Sequence, residues 1–146
     1  MIKNLFRKGR EDSEDSSTPV TGETKGRILV VDDSPTEIVV FKKILEKQGY
    51  QILVAKDGQE GVDMAKQELP DLILMDVVMP VLNGFQATRL LKNDESTTNI
   101  PVIMVTTKDQ QTDINWGMRQ GATEYLVKPV APAELLSKIR TLINAG

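Results

Sequence analysis

Between Arg27 and the C-terminus, five short apolar runs alternate with five stretches patterned for helix. The runs are Ile28-Leu29-Val30-Val31, Ile52-Leu53-Val54-Ala55, Leu72-Ile73-Leu74-Met75, Val102-Ile103-Met104-Val105 and Tyr125-Leu126-Val127. They are apolar throughout rather than at every second position, so both faces of each strand must be covered, which is the condition of a parallel sheet between layers of helix. The intervening helices are expected over Pro35–Lys47, Gln59–Gln67, Gly84–Lys92, Gln110–Arg119 and Pro132–Asn144. Ile38, Phe41 and Leu45 line one face of the first, and Leu135, Ile139 and Leu142 one face of the last. Ser34, Pro35 and Glu37 have the spacing of a capping box with proline at the first helical position, and Asp57 with Glu60 and Asn83 with Gln86 repeat it. Five such units predict an open, doubly wound α/β fold whose crossovers share one hand.

Composition narrows the chemistry. The 146-residue chain has room for one ordinary domain. Its small net charge of -3 argues against generic nucleic-acid binding, which needs a concentrated basic face. No apolar run approaches the roughly 20 residues of a membrane span, and no signal-peptide pattern follows the basic start, so a cytoplasmic location is expected. Cysteine and histidine are both absent, which excludes disulfides, thiolate sites, imidazole ligands and imidazole bases. Residues 1–25 read as a disordered extension: Lys3, Arg7, Lys8 and Arg10 precede Glu11, Asp12, Glu14 and Asp15, then Ser16-Ser17-Thr18-Pro19. Ile2, Leu5 and Phe6 would let Met1–Gly9 form a short amphipathic tether, although a solvated tail is the simpler reading. Residues 26–146 form the expected domain.

Polar residues stand where the apolar strands end: Asp32 and Asp33, Asp76, Thr106, and Lys128. In a parallel sheet these ends lie on one edge, where ligands of such folds bind. Each position alone has a plain reading, such as a helix cap, a solvated loop or a strand end before proline. Four in register are poorly explained by chance. Three carboxylates placed together would raise one another's pKa values, a conflict that a divalent cation removes. Magnesium, held by one or two carboxylates plus phosphate oxygens, suits the set, and manganese is the alternate. Lys128 could pair with a phosphoryl oxygen and Thr106 donate to another, leaving Asp76 as a carboxylate nucleophile.

The segments Ile28–Ser34, Leu74–Pro80, Val105–Thr107 and Tyr125–Pro129 resemble the receiver domains of bacterial response regulators of the chemotaxis CheY type, over about Arg27 to the C-terminus. Gly84 matches the glycine that opens the helix after the phosphoacceptor loop. The resemblance implies a flavodoxin-like (βα)5 sheet of strand order 2-1-3-4-5. It implies phosphorylation of Asp76, direct metal binding by Asp33 and by the backbone carbonyl of Val78, and a supporting, often water-mediated, part for Asp32. It further implies a cis Lys128–Pro129 bond, a switch aromatic at Tyr125, and an output face on the fourth helix, fifth strand and fifth helix. Ile114 and Met118, four apart, would share a helix face there; ordinary core packing is the competing reading. A narrower similarity, Trp116-Gly117-Met118-Arg119-Gln120-Gly121-Ala122, is to regulators of twitching and phototaxis systems, the PilH group. The chain departs from the CheY pattern at Val78, where CheY has a polar residue, and at Lys108, where it has an acid. Both positions are expected to lengthen the phosphoryl group's life.

The phosphodonor is expected to be an external, CheA-like histidine kinase. No segment follows the fifth helix, so output is expected through binding a downstream protein, or through draining phosphate from a sister regulator. A flavin carrier on the same fold would need a phosphate-cradling loop where Asp32-Asp33 stands. A haloacid-dehalogenase-like phosphatase would need a second aspartate where Ser34 stands. A degenerate receiver that binds without phosphorylation is disfavoured by the complete residue set. Beyond its own phosphorylation and slow dephosphorylation, no turnover of an external substrate is expected.

Overall fold

The computed structural model describes residues 24–145. The amphipathic tether and nearly all of the expected extension lie outside the described residues. Five strands alternate with five helices: β1 (Arg27–Val31), α1 (Pro35–Lys47), β2 (Gln51–Ala55), α2 (Gly58–Glu68), β3 (Leu72–Met75), α3 (Gly84–Lys92), β4 (Val102–Thr106), α4 (Gln111–Gln120), β5 (Glu124–Val127) and α5 (Pro132–Ala145). All pairings are parallel, in the order β2-β1-β3-β4-β5. This is the flavodoxin-like order that the family resemblance implies.

Side-chain alternation along the strands divides the interior in two. Ile28 and Val30 of β1 pack with Ile38, Phe41 and Leu45 of α1 and with Leu135 and Ile139 of α5. Their neighbours Leu29 and Val31 face the opposite way, onto Val62 and Ala65 of α2 and Ala87 and Leu91 of α3. A period of two cannot leave one face polar when both are covered, hence the unbroken apolar runs. Every residue of β3 is buried, each side chain contributing about 1.5–3 kcal/mol by removal from water. A smaller cluster of Val77, Met104 and Ala122, with Phe85 and Tyr125 against it, joins the β3 and β4 ends to α4.

The helix starts agree with the cap signals, with two differences in detail. The Asn83–Gln86 box is reciprocal. The Ser34 hydroxyl accepts the Glu37 N–H at 3.3 Å, but the Ser34 N–H donates to Asp32 Oδ1 at 2.9 Å, and the Glu37 carboxylate turns elsewhere. Asp57 accepts from the Glu60 N–H at 2.8 Å, while Glu60 reaches back one residue further, to the Lys56 N–H at 2.7 Å. Among the described residues, no helix is long and apolar enough to cross a membrane.

Candidate functional site

The chain leaves β1 outward to β2 and returns past it to β3, so the strand order reverses between the β1 and β3 ends. Two backbone bonds fix those ends: the Asp32 N–H donates to the Ala55 carbonyl at 3.1 Å, and the Asp76 N–H to the Val31 carbonyl at 2.9 Å. Asp32 and Asp76 therefore emerge side by side at the crevice where open α/β sheets take ligands. Gly84 allows the approach of α3 beneath them, since a Cβ there would run into the Asp76 carbonyl oxygen.

One carboxylate oxygen from each of Asp32, Asp33 and Asp76 lies within 4.8 Å of the others. Asp32 and Asp76 are buried and Asp33 is exposed. Asp32 is engaged on both oxygens, by the Ser34 N–H and by Lys128 Nζ at 3.1 Å. Asp76 Oδ1 accepts from the Val77 N–H at 2.8 Å, and its Oδ2 lies 3.9 Å from Lys128 Nζ. The Lys128–Pro129 bond is cis. Thr106 is the last residue of β4 rather than the first after it; it is fully buried and its Oγ1 accepts the Lys108 N–H at 3.3 Å. The β5 end is held to it through the Lys128 N–H and the Thr106 carbonyl, 2.8 Å. All five strand-end residues thus sit on the edge where the sequence puts them.

Charge follows from this crowding. Burial pushes the Asp76 carboxyl above its ordinary range; Lys128 pulls it down, Asp32 pushes it further up, the Val77 N–H pulls down and Asp33 pushes up. For Lys128 burial works against the ammonium, but Asp76, Asp32 and Glu37 together hold its pKa above the usual value. Three oxygen donors of like charge, with no nitrogen or sulfur ligand among them, fit a hard divalent cation.

The remaining expected positions divide. Tyr125 is half-buried, and its hydroxyl donates to the Lys108 carbonyl at 2.8 Å. Burial, then Asp113, Asp109 and Asp76, push its pKa up to about 12. Ile114 is half-buried and Met118 exposed, as is the neighbouring Trp116, so the α4 core face is carried instead by Gly117 and Gln120. Val78, two residues after Asp76, is exposed. Lys108 Nζ faces Asp113 Oδ1 at 3.8 Å, so its ammonium is drawn to α4 rather than across the carboxylates. Sequence reasoning missed Glu37, whose Oε1 lies 3.6 Å from Lys128 Nζ; the cap pattern assigned it another partner. It also missed Lys92, which donates to the carbonyls of Thr98 at 3.1 Å and Ile100 at 2.6 Å and pins the loop before β4.

Residues 28–140 match the family model of the response regulator receiver domain. The chain is 58% identical to Protein PilH of Pseudomonas aeruginosa over 117 residues, covering 80% of this chain and 97% of that one. It is similar to the receiver domain of a Syntrophus aciditrophicus signal transduction histidine kinase, with TM-score 0.77, 36% identity and coverage of 82% and 91%. It is also similar to the receiver domain of a Pseudomonas aeruginosa sensor histidine kinase with a magnesium ion coordinated in the active site cleft, with TM-score 0.77, 34% identity and coverage of 82% and 98%. With this edge geometry and these matches, the chain belongs to the response regulator receiver domain family, CheY-like in fold and closely related to PilH-type regulators.

Proposed function

We propose that the domain, residues 26–146, accepts a phosphoryl group on Asp76 from a histidine kinase and signals by binding a partner protein in its phosphorylated form. The observation that carries this reading is the meeting of Asp32, Asp33 and Asp76 with Lys128 at the β1/β3 crevice. An Asp76 carboxylate oxygen attacks phosphorus, the bond from phosphorus to the donor histidine nitrogen breaks, and an acyl phosphate forms. Asp33, Asp76 and the Val78 carbonyl would hold magnesium, or manganese in its place, with Asp32 in support; the ion supplies neutralising charge for the phosphoryl oxygens. Lys128 shifts from Asp32 toward the arriving oxygens, and the Thr106 hydroxyl donates to another.

The family pairs its receivers with cognate histidine kinases, and the PilH likeness supports a CheA-like kinase of a twitching or chemotaxis system, hence a cytoplasmic setting. Output belongs to the α4–β5–α5 side, where Ile114 and Met118 stand four apart; charged substitutions there should impair partner binding and leave phosphorylation intact. The whole reading is tested by intact-mass measurement after incubation with acetyl phosphate. One added phosphoryl group is expected with magnesium, none with a chelator, and much slower labelling in Asp33→Ala. Full labelling in the presence of chelator would remove the metal-assisted mechanism.

A further inference from the structure

Helix α4 carries a glycine in its middle, where glycine weakens a helix relative to alanine. The cost has a geometric counterpart. A Cβ on Gly117 would lie 3.0 Å from both Cδ2 and Cε2 of the Tyr125 ring and 2.8 Å from Met104 Sδ. Met104 ends in a rotatable thioether that can give way, although it is itself fully buried. The Tyr125 ring is planar and held at both ends, by its strand and by the bond from its hydroxyl to the Lys108 carbonyl. The ring therefore lies in the space that the missing side chain leaves.

That space connects to the phosphoacceptor. Val77, beside Asp76, belongs to the same small apolar cluster as Met104 and Tyr125. Lys108, whose carbonyl Tyr125 holds, has its N–H on Thr106 Oγ1. Movement of the Thr106 hydroxyl toward a phosphoryl oxygen would disturb the Lys108 N–H, while the Lys108 carbonyl is anchored through Tyr125 to the α4 surface.

We propose that Gly117 is a positioning residue: by leaving room for the Tyr125 ring against α4, it holds the tyrosine on the Lys108 carbonyl and so couples Thr106 to the α4–β5 surface. This deepens the proposed function and rests on it. An alanine at this position pushes the Met104 thioether aside and presses the ring away from α4, off the 2.8 Å bond to the Lys108 carbonyl. The catalytic residues Asp76, Lys128 and Thr106 keep their places, so phosphoryl acceptance persists while its signal to α4 is lost.

The test compares wild type, Gly117→Ala and Arg119→Ala, the last an exposed control on the same helix. Two readouts are used, with magnesium and beryllofluoride as the phosphate analogue. One is the 13Cζ resonance of Tyr125, assigned with Tyr125→Phe. The other is the fluorescence of Trp116, the single tryptophan, which adjoins Gly117. In wild type and Arg119→Ala both signals should change on adding the analogue. In Gly117→Ala the Tyr125 resonance should move to that of an unbonded tyrosine and both signals should cease to respond, with labelling by acetyl phosphate within about twofold of wild type. A Gly117→Ala protein that keeps the wild-type resonance and response overturns the proposal. Should Gly117→Ala fail to fold, Gly117→Ala with Tyr125→Ala must restore folding, and a double variant that stays unfolded overturns it too. Absence of labelling in wild type would instead overturn the proposed function, so the two failures are distinguishable.

Discussion

The loop after Asp76 contains a residue in the wrong conformation for its kind. Val81 has φ 71°, and the Leu82 N–H donates to the Pro80 carbonyl at 2.8 Å, closing a three-residue γ-turn around it. The positive-φ form of this turn is rare and strained, and a β-branched residue suffers most there. A sparsely populated backbone conformation of this kind costs roughly 1–3 kcal/mol. Val81 is also 81% exposed, so little packing offsets the strain. Val81→Asn should therefore stabilise the protein by about 1 kcal/mol, because asparagine is not β-branched and is several-fold enriched at positive φ. Val81→Gly relieves more strain but returns about 0.5–1 kcal/mol through the greater freedom of its unfolded chain, so it should gain less. Urea unfolding followed by far-UV circular dichroism measures the effect. With a slope of roughly 1–3 kcal/mol/M, Val81→Asn should raise the midpoint by about 0.5 M at unchanged slope. Val78→Asn is the control, since Val78 is exposed in the same loop without positive φ. A midpoint unmoved or lowered by both Val81 variants would refute the strain argument.

Burial raises the Asp76 pKa in the fold. The stabilisation from its neutral form is thus present below the unfolded value and lost as pH rises through the folded one, leaving an ionised carboxylate that costs stability at neutral pH. Asp76→Asn should raise the melting temperature at pH 7 without metal, and the gain should vanish toward pH 3; an equal gain at both would contradict this origin. Glu37 competes for Lys128 at 3.6 Å from a partly exposed position, where such pairs are worth about 0.2–1 kcal/mol. Glu37→Gln should tighten beryllofluoride binding up to about fivefold, and weaker binding would show that Glu37 serves the anion instead. Val78→Asn with Lys108→Glu should speed phosphate loss from the purified protein, since valine cannot orient an attacking water and asparagine or an acid can; an unchanged or slower rate would remove that role.

Much of this architecture was legible because it depends on local patterns. Unbroken apolar runs such as Leu72–Met75 imply cover on both faces, and Ser34, Asp57 and Asn83 mark helix starts by short-range hydrogen bonding. The polar residues at strand ends needed only the parallel arrangement to be brought together. The strand order itself came from family resemblance, because local periodicity carries no information on which strands adjoin. What stayed hidden depends on rotamers and long-range neighbours. Glu37 has the spacing of a cap, yet the Ser34 N–H is taken by Asp32, which leaves the glutamate to turn toward Lys128. Lys108 belongs to the right loop, but Asp113 lies in the first turn of α4 and attracts its ammonium. Nothing in Val81 itself announces a positive φ. Gly117 did leave a signal, a glycine amid a helical pattern, but its meaning needed the Tyr125 ring beside it.

The proposed chemistry requires the Asp76 carboxylate, among all the acidic groups of the chain, to become the acyl phosphate. Borohydride reduction of protein treated with acetyl phosphate and magnesium converts an acyl phosphate to an alcohol, and peptide mass spectrometry then locates it. Homoserine is expected at position 76 alone, with no conversion in Asp76→Ala. Conversion at Asp32, at Asp33 or at any glutamate, or undiminished conversion in the Asp76→Ala protein, would contradict it.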